Sequence, residues 1–457
     1  GTDTRSAYTI TWGDGSTDNF TAAKWTAAAG SFTHTYADGP GNATITVSTT
    51  DEDGATVLGT QAVTIDNVAP TASVSGAATM EHDWVERYEL PVTFAAELAV
   101  PTSEVLTKVE TKRQDPATQM ATVAAREAWR DAGLEGVELD GDRLAVAFGT
   151  GIGGVWTLLD GWDTLRERGP RRVMPMTVPM LMPNGAAGAL SLEFGARGGA
   201  RTVVSACAAG TEALETALLL IRSGQADVVI CGASEAAVHP LPMAAFAAMQ
   251  ALSKRNDDPQ AASRPYDVDR DGFVLGEGAG VMVVESEEHA RARGARVYAE
   301  LAGTGVTSDS HHITAPEPEG LGATRAMRAA LKAADLTPED VCHVNAHATS
   351  TPVGDKPEYY AMRAVFGDHV DQVKVSATKS QTGHLLGASG AIESVLSVLA
   401  LHHGKAPVTI NLDHQDPDIP LNVVTGSPAE LPEGERAVVK NSFGFGGHNA
   451  VAVFTSY

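Results

Sequence analysis

The chain has 457 residues, 43% of them hydrophobic and 20% charged, with 46 glycines, which excludes a disordered or fibrous protein and leaves room for two or three domains. A formal charge of −24 excludes nucleic acid as the main partner, and no apolar run approaches the roughly 20 residues that span a bilayer, so no membrane partner is expected. Three scattered cysteines without CxxC spacing point to a reducing compartment, with no disulfide framework and no metal site; with no basic-then-apolar leader, a cytoplasmic location is expected.

Residues 1–67 are rich in Thr, Ser, Asp and Gly, and they alternate. YTITW (8–12), SFTHTY (31–36), NATITVSTT (42–50) and QAVTI (61–65) read as short strands, separated by GDGS (13–16), ADGPG (37–41) and DEDG (51–54). That spacing predicts a small all-β sandwich over 1–67, followed by a linker over 68–80. From residue 81 the pattern becomes mixed α/β. ATQMATVAAREAWRDAG (117–133) predicts an amphipathic helix with a glycine stop. DRLAVAFGTGIGG (142–154), GQADVVICGASE (224–235), GEGAGVMVVES (276–286), VYAELAGTGVT (297–307) and VCHVNAHAT (341–349) predict strands, with a helix at ATRAMRAALKAAD (323–335). Alternation of this kind predicts layers of helix on sheet. The GTGIGG match at Gly149–Gly154 is a weak dinucleotide signal, because no acidic residue follows at the expected distance.

Cys207 carries the strongest chemical signal. A β-branched run, Thr202-Val203-Val204, leads to Ser205-Ala206-Cys207, and a helical pattern begins with Ala213 and Leu214. A cysteine at a strand-to-helix junction faces unpaired N–H groups, so its thiol pKa is expected to fall. Three further segments hold polar groups at element ends: His347 with Thr349 and Thr351, Lys379 with His384, and the glycine-rich loop Asn441–Asn449. Each alone has an ordinary structural explanation.

Together these segments resemble one family. VSACAAGT, SRPYDVDRDGFVLGEGAG (263–280), HATSTPVGD, KSQTGHLLGASG and NSFGFGGHN occur in the order found in the elongating β-ketoacyl-acyl-carrier-protein synthases, the type II ketosynthases of the thiolase fold. The resemblance covers residues 81–457 and implies a thiolase-like layered α/β/α/β/α fold, with halves at 81–286 and 287–457. It implies a decarboxylating condensation of acyl-Cys207 with malonyl-acyl carrier protein, needing no cofactor. His347 and His384 would donate to the developing oxyanion, supported by Lys379, while the backbone N–H groups of Cys207 and Phe445 form a second oxyanion hole. Phe445 would also act as a gate. Ile152 would line the acyl pocket, Thr349 and Thr351 would bind the phosphopantetheine arm, and Glu393, Phe443 and Gly444 would complete substrate binding. Lys112 and Arg113 are candidates for carrier-protein contact, with Lys254 and Arg255 behind them. The family also implies a homodimer. Residues 1–67, through Trp12-Gly13-Asp14-Gly15-Ser16 and His34-Thr35-Tyr36, resemble immunoglobulin-like domains of the polycystic-kidney-disease (PKD) type.

The chain departs from the family in two places. The usual first strand and helix of the N-terminal half are absent, with residues 1–80 in their place. The expectation is a gap in the middle of a sheet, unless a strand from 42–65 fills it. Lys356-Pro357 stands where small apolar residues are expected, with local strain. Alternative readings are a hybrid or engineered chain with an inactive ketosynthase part, a polyketide ketosynthase, and a thiolase-like acyltransferase.

Overall fold

Thr- and Val-rich alternation produces strands in the N-terminal unit, Gly1–Ala72. β1 (Ala7–Thr11), β2 (Thr17–Thr21), β3 (Gly41–Asp51) and β4 (Gly54–Ile65) form one antiparallel sheet in the order β2-β1-β3-β4. The computed structural model describes residues 7–12, 16–21, 24–25, 41–51, 54–65 and 77–457. Ile10 and Trp12 are buried, and Trp12 Nε1 donates to Asp18 Oδ2 at 2.9 Å. The polar sequence TDNFT hid β2 from pattern reading. The strand expected at 31–36 lies outside the described residues.

The second unit, Ser73–Tyr457, opens with a small element. β5 (Ala78–Thr79) pairs with β6 (Phe94–Ala95), and the turn of helix between them buries Trp84 and Val85. β7 (Leu144–Gly149), β8 (Ala200–Val203), β9 (Val228–Glu235) and β10 (Gly278–Glu285) form a four-stranded sheet ordered β10-β9-β7-β8. β11 (Glu300–Ser308), β12 (Val341–Asn345) and β13 (Lys374–Ser376) belong to a second sheet. β14 (Lys405–Ala406) and β15 (Ala429–Glu430) make a small ribbon beside it, and β16 (Ala437–Gly444) and β17 (His448–Thr455) complete the order β11-β17-β16-β12-β13.

The two sheets repeat one topology. β7 runs parallel to β8 and β9, while β9 and β10 are antiparallel. β12 likewise runs parallel to β13 and β16, while β16 and β17 are antiparallel. Helices Ala209–Arg222 and Ser389–His403 touch both sheets and form the middle layer. Helix Pro116–Asp131 covers β9 and β10 from outside, as Leu321–Ala333 covers β11 and β17. The result is five layers, α/β/α/β/α. Among the described residues, no helix is long and apolar enough to cross a membrane.

The repeat corrects the expectation about the first strand. In the C-terminal half the extra strand, β11, pairs only with β17, at an edge. Its counterpart would lie outside β10, where no strand is seen among the described residues. The sheet middle is closed, since β7 pairs directly with β9 from Leu144↔Val228 to Gly149↔Ala233. Nor do residues 42–65 fill a place there, because β3 and β4 pair within their own sheet. The strain expected at Lys356-Pro357 is also absent. Pro357 sits in the first turn of helix Asp355–Phe366, where an N–H has no intrahelical partner, and Lys356 Nζ reaches Asp418 Oδ2 at 2.7 Å.

Candidate active site

β8 delivers Cys207 to a tight turn, Ala206–Ala208, that runs into helix Ala209–Arg222. Ala206 takes a positive φ of 51°, strain that aims the next side chain. Gly444 is required beside it: a Cβ there would meet Ser205 O at 2.8 Å and Cys207 N at 3.2 Å. Cys207 is buried, and burial pushes its thiol up to about 11. The positive charge of Lys379 and the backbone N–H groups of Phe445 and Cys207 pull the other way, and lose. The expectation of a lowered thiol pKa is therefore corrected: loss of water around the sulfur outweighs the Lys379 charge and the two backbone N–H groups.

His347 follows the end of β12. Glu358 accepts from the N–H groups of His347 and Ala348, both at 2.8 Å, and so fixes the bend that turns the ring inward. His384 is held by its backbone: its N–H donates to Val274 O at 2.7 Å, and its carbonyl accepts from Gly276 N at 2.9 Å. This is how the run 263–280 bears on the site, since its segment 273–276 clamps His384 and Phe273 packs edge-on against the ring at 5.2 Å.

The side chains then converge. His384 Nε2 lies 3.1 Å from Cys207 Sγ, and Nδ1 lies 2.9 Å from Ser389 Oγ. The two imidazoles sit edge to face, centroids 5.5 Å apart, and one nitrogen of each ring and the sulfur lie within 4.8 Å of one another. Lys379 Nζ donates to His347 O at 2.7 Å and to Glu393 Oε1 at 2.6 Å, and stands 3.4 Å from His347 Nδ1. Burial drives both imidazoles well below the usual histidine range, and the Lys379 charge adds to it. Both are neutral at pH 7.

The other predicted residues take distinct places. Phe445 presents its N–H to the Cys207 sulfur. The Phe443 ring packs against His347 at 5.8 Å. Thr349 and Thr351 hydroxyls bond each other at 3.0 Å beyond β12. Ile152 is exposed, in the loop after β7. Lys112 and Arg113 stand exposed in the last turn of helix Lys108–Arg113, with no contact to the cysteine–histidine cluster.

Four residues were missed: Glu235, Glu358, Ser389 and Lys440. Glu235, fully buried at the end of β9, accepts from Gly151 N at 2.6 Å, Gly387 N at 3.1 Å, Ile152 N at 3.2 Å and Thr150 Oγ1 at 3.2 Å. Lys440 pairs with Glu393 Oε2 at 2.9 Å inside β16. Its signal was legible, as a lone charge in the apolar run Ala437-Val438-Val439.

The chain matches the family model "Beta-ketoacyl synthase, N-terminal domain" over residues 71–290 and "Beta-ketoacyl synthase, C-terminal domain" over 298–413. It is 46% identical over 355 residues to a 3-oxoacyl-[acyl-carrier-protein] synthase 2 of Synechocystis, covering 78% of this chain and 85% of that one. The chain belongs to the β-ketoacyl synthase family. A Mycobacterium bovis 3-oxoacyl-[acyl-carrier-protein] synthase 2 is 45% identical over 384 residues, covering 84% of this synthase and 91% of its own length. Among solved structures, a type II polyketide acyl-carrier protein in complex with its ketosynthase gives a TM-score of 0.75 at 33% identity, covering 83% of this synthase and 92% of that chain.

Proposed function

We propose that this synthase elongates fatty acyl chains by decarboxylating Claisen condensation, as a β-ketoacyl-acyl-carrier-protein synthase II acyltransferase. The observation that carries the reading is the 3.1 Å approach of His384 Nε2 to Cys207 Sγ, with His347 and Lys379 beside them. In the first half-reaction Cys207 sulfur attacks the thioester of acyl carrier protein. The thiol proton ends on the departing carrier thiol. The N–H groups of Cys207 and Phe445 hold the tetrahedral oxyanion. Ser389 Oγ accepts from Leu385 N and turns its proton to His384 Nδ1, which leaves the N–H on Nε2, facing the sulfur.

In the second half-reaction malonyl carrier protein loses carbon dioxide, and negative charge develops on its thioester oxygen. His347 and His384, neutral, each donate an N–H there. A donor of that kind is worth about 3 kcal/mol in the transition state. The enolate carbon attacks the Cys207 thioester and expels the thiolate, giving 3-oxoacyl-carrier protein longer by two carbons. Lys379 and Glu393 keep the imidazole network in place. Ile152, Thr349, Thr351, Phe443 and Gly444 bind substrate, Phe445 gates the loop, and Lys112 with Arg113 meets the acidic carrier.

Relatives at 45–46% identity named as 3-oxoacyl synthases favour fatty acid over polyketide substrates, whose neighbour stands at 33%. A converged triad argues against an inactive remnant. Exposed Leu192, on the helix packed on β8, and exposed Val204, just past the end of β8, support a homodimer. Residues 1–67 read as a PKD-type β-sandwich acting as a spacer or binding module, joined by a linker at 68–80 to halves at 81–286 and 287–457. Free Cys207, Cys231 and Cys342 support a reducing, cytoplasmic setting.

The test uses acyl and malonyl carrier proteins with the Cys207→Ala variant. Wild type makes 3-oxoacyl-carrier protein, and the variant makes none while still decarboxylating malonyl carrier protein. Condensation that survives without the sulfur overturns the assignment. Light scattering on the wild type should give twice the chain mass.

A further inference from the structure

β16 carries a lysine among apolar residues. Ala437, Val438 and Val439 are buried, and Lys440 is 0% exposed. Its ammonium donates to the Asn441 carbonyl and lies 2.9 Å from Glu393 Oε2. The other oxygen of Glu393 receives Lys379 at 2.6 Å. Two ammonium groups thus share one carboxylate, and all three are sealed from water. Two cations on one carboxylate are hard to bury, and the Lys440 pKa is pulled down to about 8, burial first and the Lys379 charge among the causes.

We propose that Lys440 is a positioning residue for the decarboxylation half-reaction, an inference that rests on the condensing-enzyme reading above. Lys440 holds one oxygen of Glu393, so the other stays fixed as the anchor of Lys379. Lys379 then points its remaining donors at the His347 carbonyl and Nδ1, which keeps the N–H on Nε2. The Lys440 charge also disfavours protonation of both imidazoles, adding to Lys379. The charged and titratable groups around the two rings come from every neighbouring element: Cys207 before its helix, Glu235 at the end of β9, Glu358 on helix Asp355–Phe366, Lys379, Glu393 on helix Ser389–His403, and Lys440 on β16. Of these only Lys379 and Lys440 are cations, and of the two cations only Lys379 touches a histidine.

The test separates the half-reactions in Lys440→Met and Lys440→Gln. Met is unbranched, uncharged and one atom shorter than Lys; Gln retains a donor for the Asn441 carbonyl. Decarboxylation of malonyl carrier protein should slow by about tenfold or more in both. Transfer of acyl groups to Cys207 should stay within about twofold. A removed cation lets the imidazoles protonate more readily, so the acid limb of the decarboxylation profile should move up by about one pH unit. Equal losses in both half-reactions with an unmoved acid limb would show a packing role and overturn the proposal. So would a Lys440→Gln variant with wild-type decarboxylation, because the hydrogen bond alone would then suffice. A wild type that never decarboxylates malonyl carrier protein defeats the condensing-enzyme reading itself.

Discussion

At the residue scale, Cys207 joins a strained approach to a dry pocket. Positive φ values at Ala206 (51°), Ala348 (28°) and Leu386 (47°) stand next to, or two residues from, Cys207, His347 and His384. Each costs about 1–3 kcal/mol, which the surrounding core offsets. The same burial lifts the thiol to about 11, so the resting enzyme holds a neutral sulfur at pH 7. Alkylation follows the thiolate fraction. The rate of Cys207 modification by iodoacetamide should therefore climb about tenfold per pH unit through pH 9. A plateau near pH 7 would mean that the helix terminus and Lys379 win over burial. The residues that converge at the site were legible because each sits in a short motif at an element end. Glu358 and Ser389 were not, because each earns its role through an N–H or imidazole that only the folded chain brings to it.

At the element scale, the loop after β7 and the turn before helix Ser389–His403 are locked on one carboxylate. Gly151 and Gly387 touch so closely that a Cβ on Gly387 would lie 2.3 Å from Gly151 N. Glu235 fills the junction, bonding Thr150, Gly151 and Ile152 on one side and Gly387 on the other. It thereby ties the loop that carries Ile152 to the segment that carries His384. Burial raises its pKa from 4.5 to about 7 despite four donors. Between those values the folded chain binds more protons than the unfolded one, so this group's contribution to stability falls as pH rises from about 4.5 to 7. Glu235→Gln removes that dependence. The variant should gain on wild type by up to about 3 kcal/mol in denaturant unfolding between pH 5 and pH 8. Glu277 and Asp355, raised by burial to about 7 and about 6, slope the same way but act in both proteins. Parallel pH curves for the two would show that Glu235 does not titrate there.

At the scale of the whole molecule, two halves share one topology, and among the described residues only one of them shows its edge strand. The repeat was invisible in the sequence, because strand order comes from pairing partners far apart in the chain rather than from any short period. The strands themselves were legible: β7, β9, β10 and β12 fall within their apolar runs, β11 passes the end of its run by Ser308, and the two inner strands β7 and β9 are buried at every residue. The consequence of the lost first strand was misread, because its place at the edge follows from β11 and β17, not from composition. β17 lies between β16 and β11, and its residues from Asn449 to Phe454 are buried. β10 has β9 on one side, and Val281, Met282, Val283 and Val284 are all only partly buried. An edge of that kind exposes a row of unpaired N–H and C=O groups. In native-state hydrogen exchange on the full chain, alternate amides of Gly278–Glu285 should exchange through local opening, far faster than those of His448–Thr455. The amides of β10 that point toward β9 should keep the slow rates of the core. Uniform protection along β10, equal to that of β17, would mean that another segment of the chain or a second copy completes the sheet.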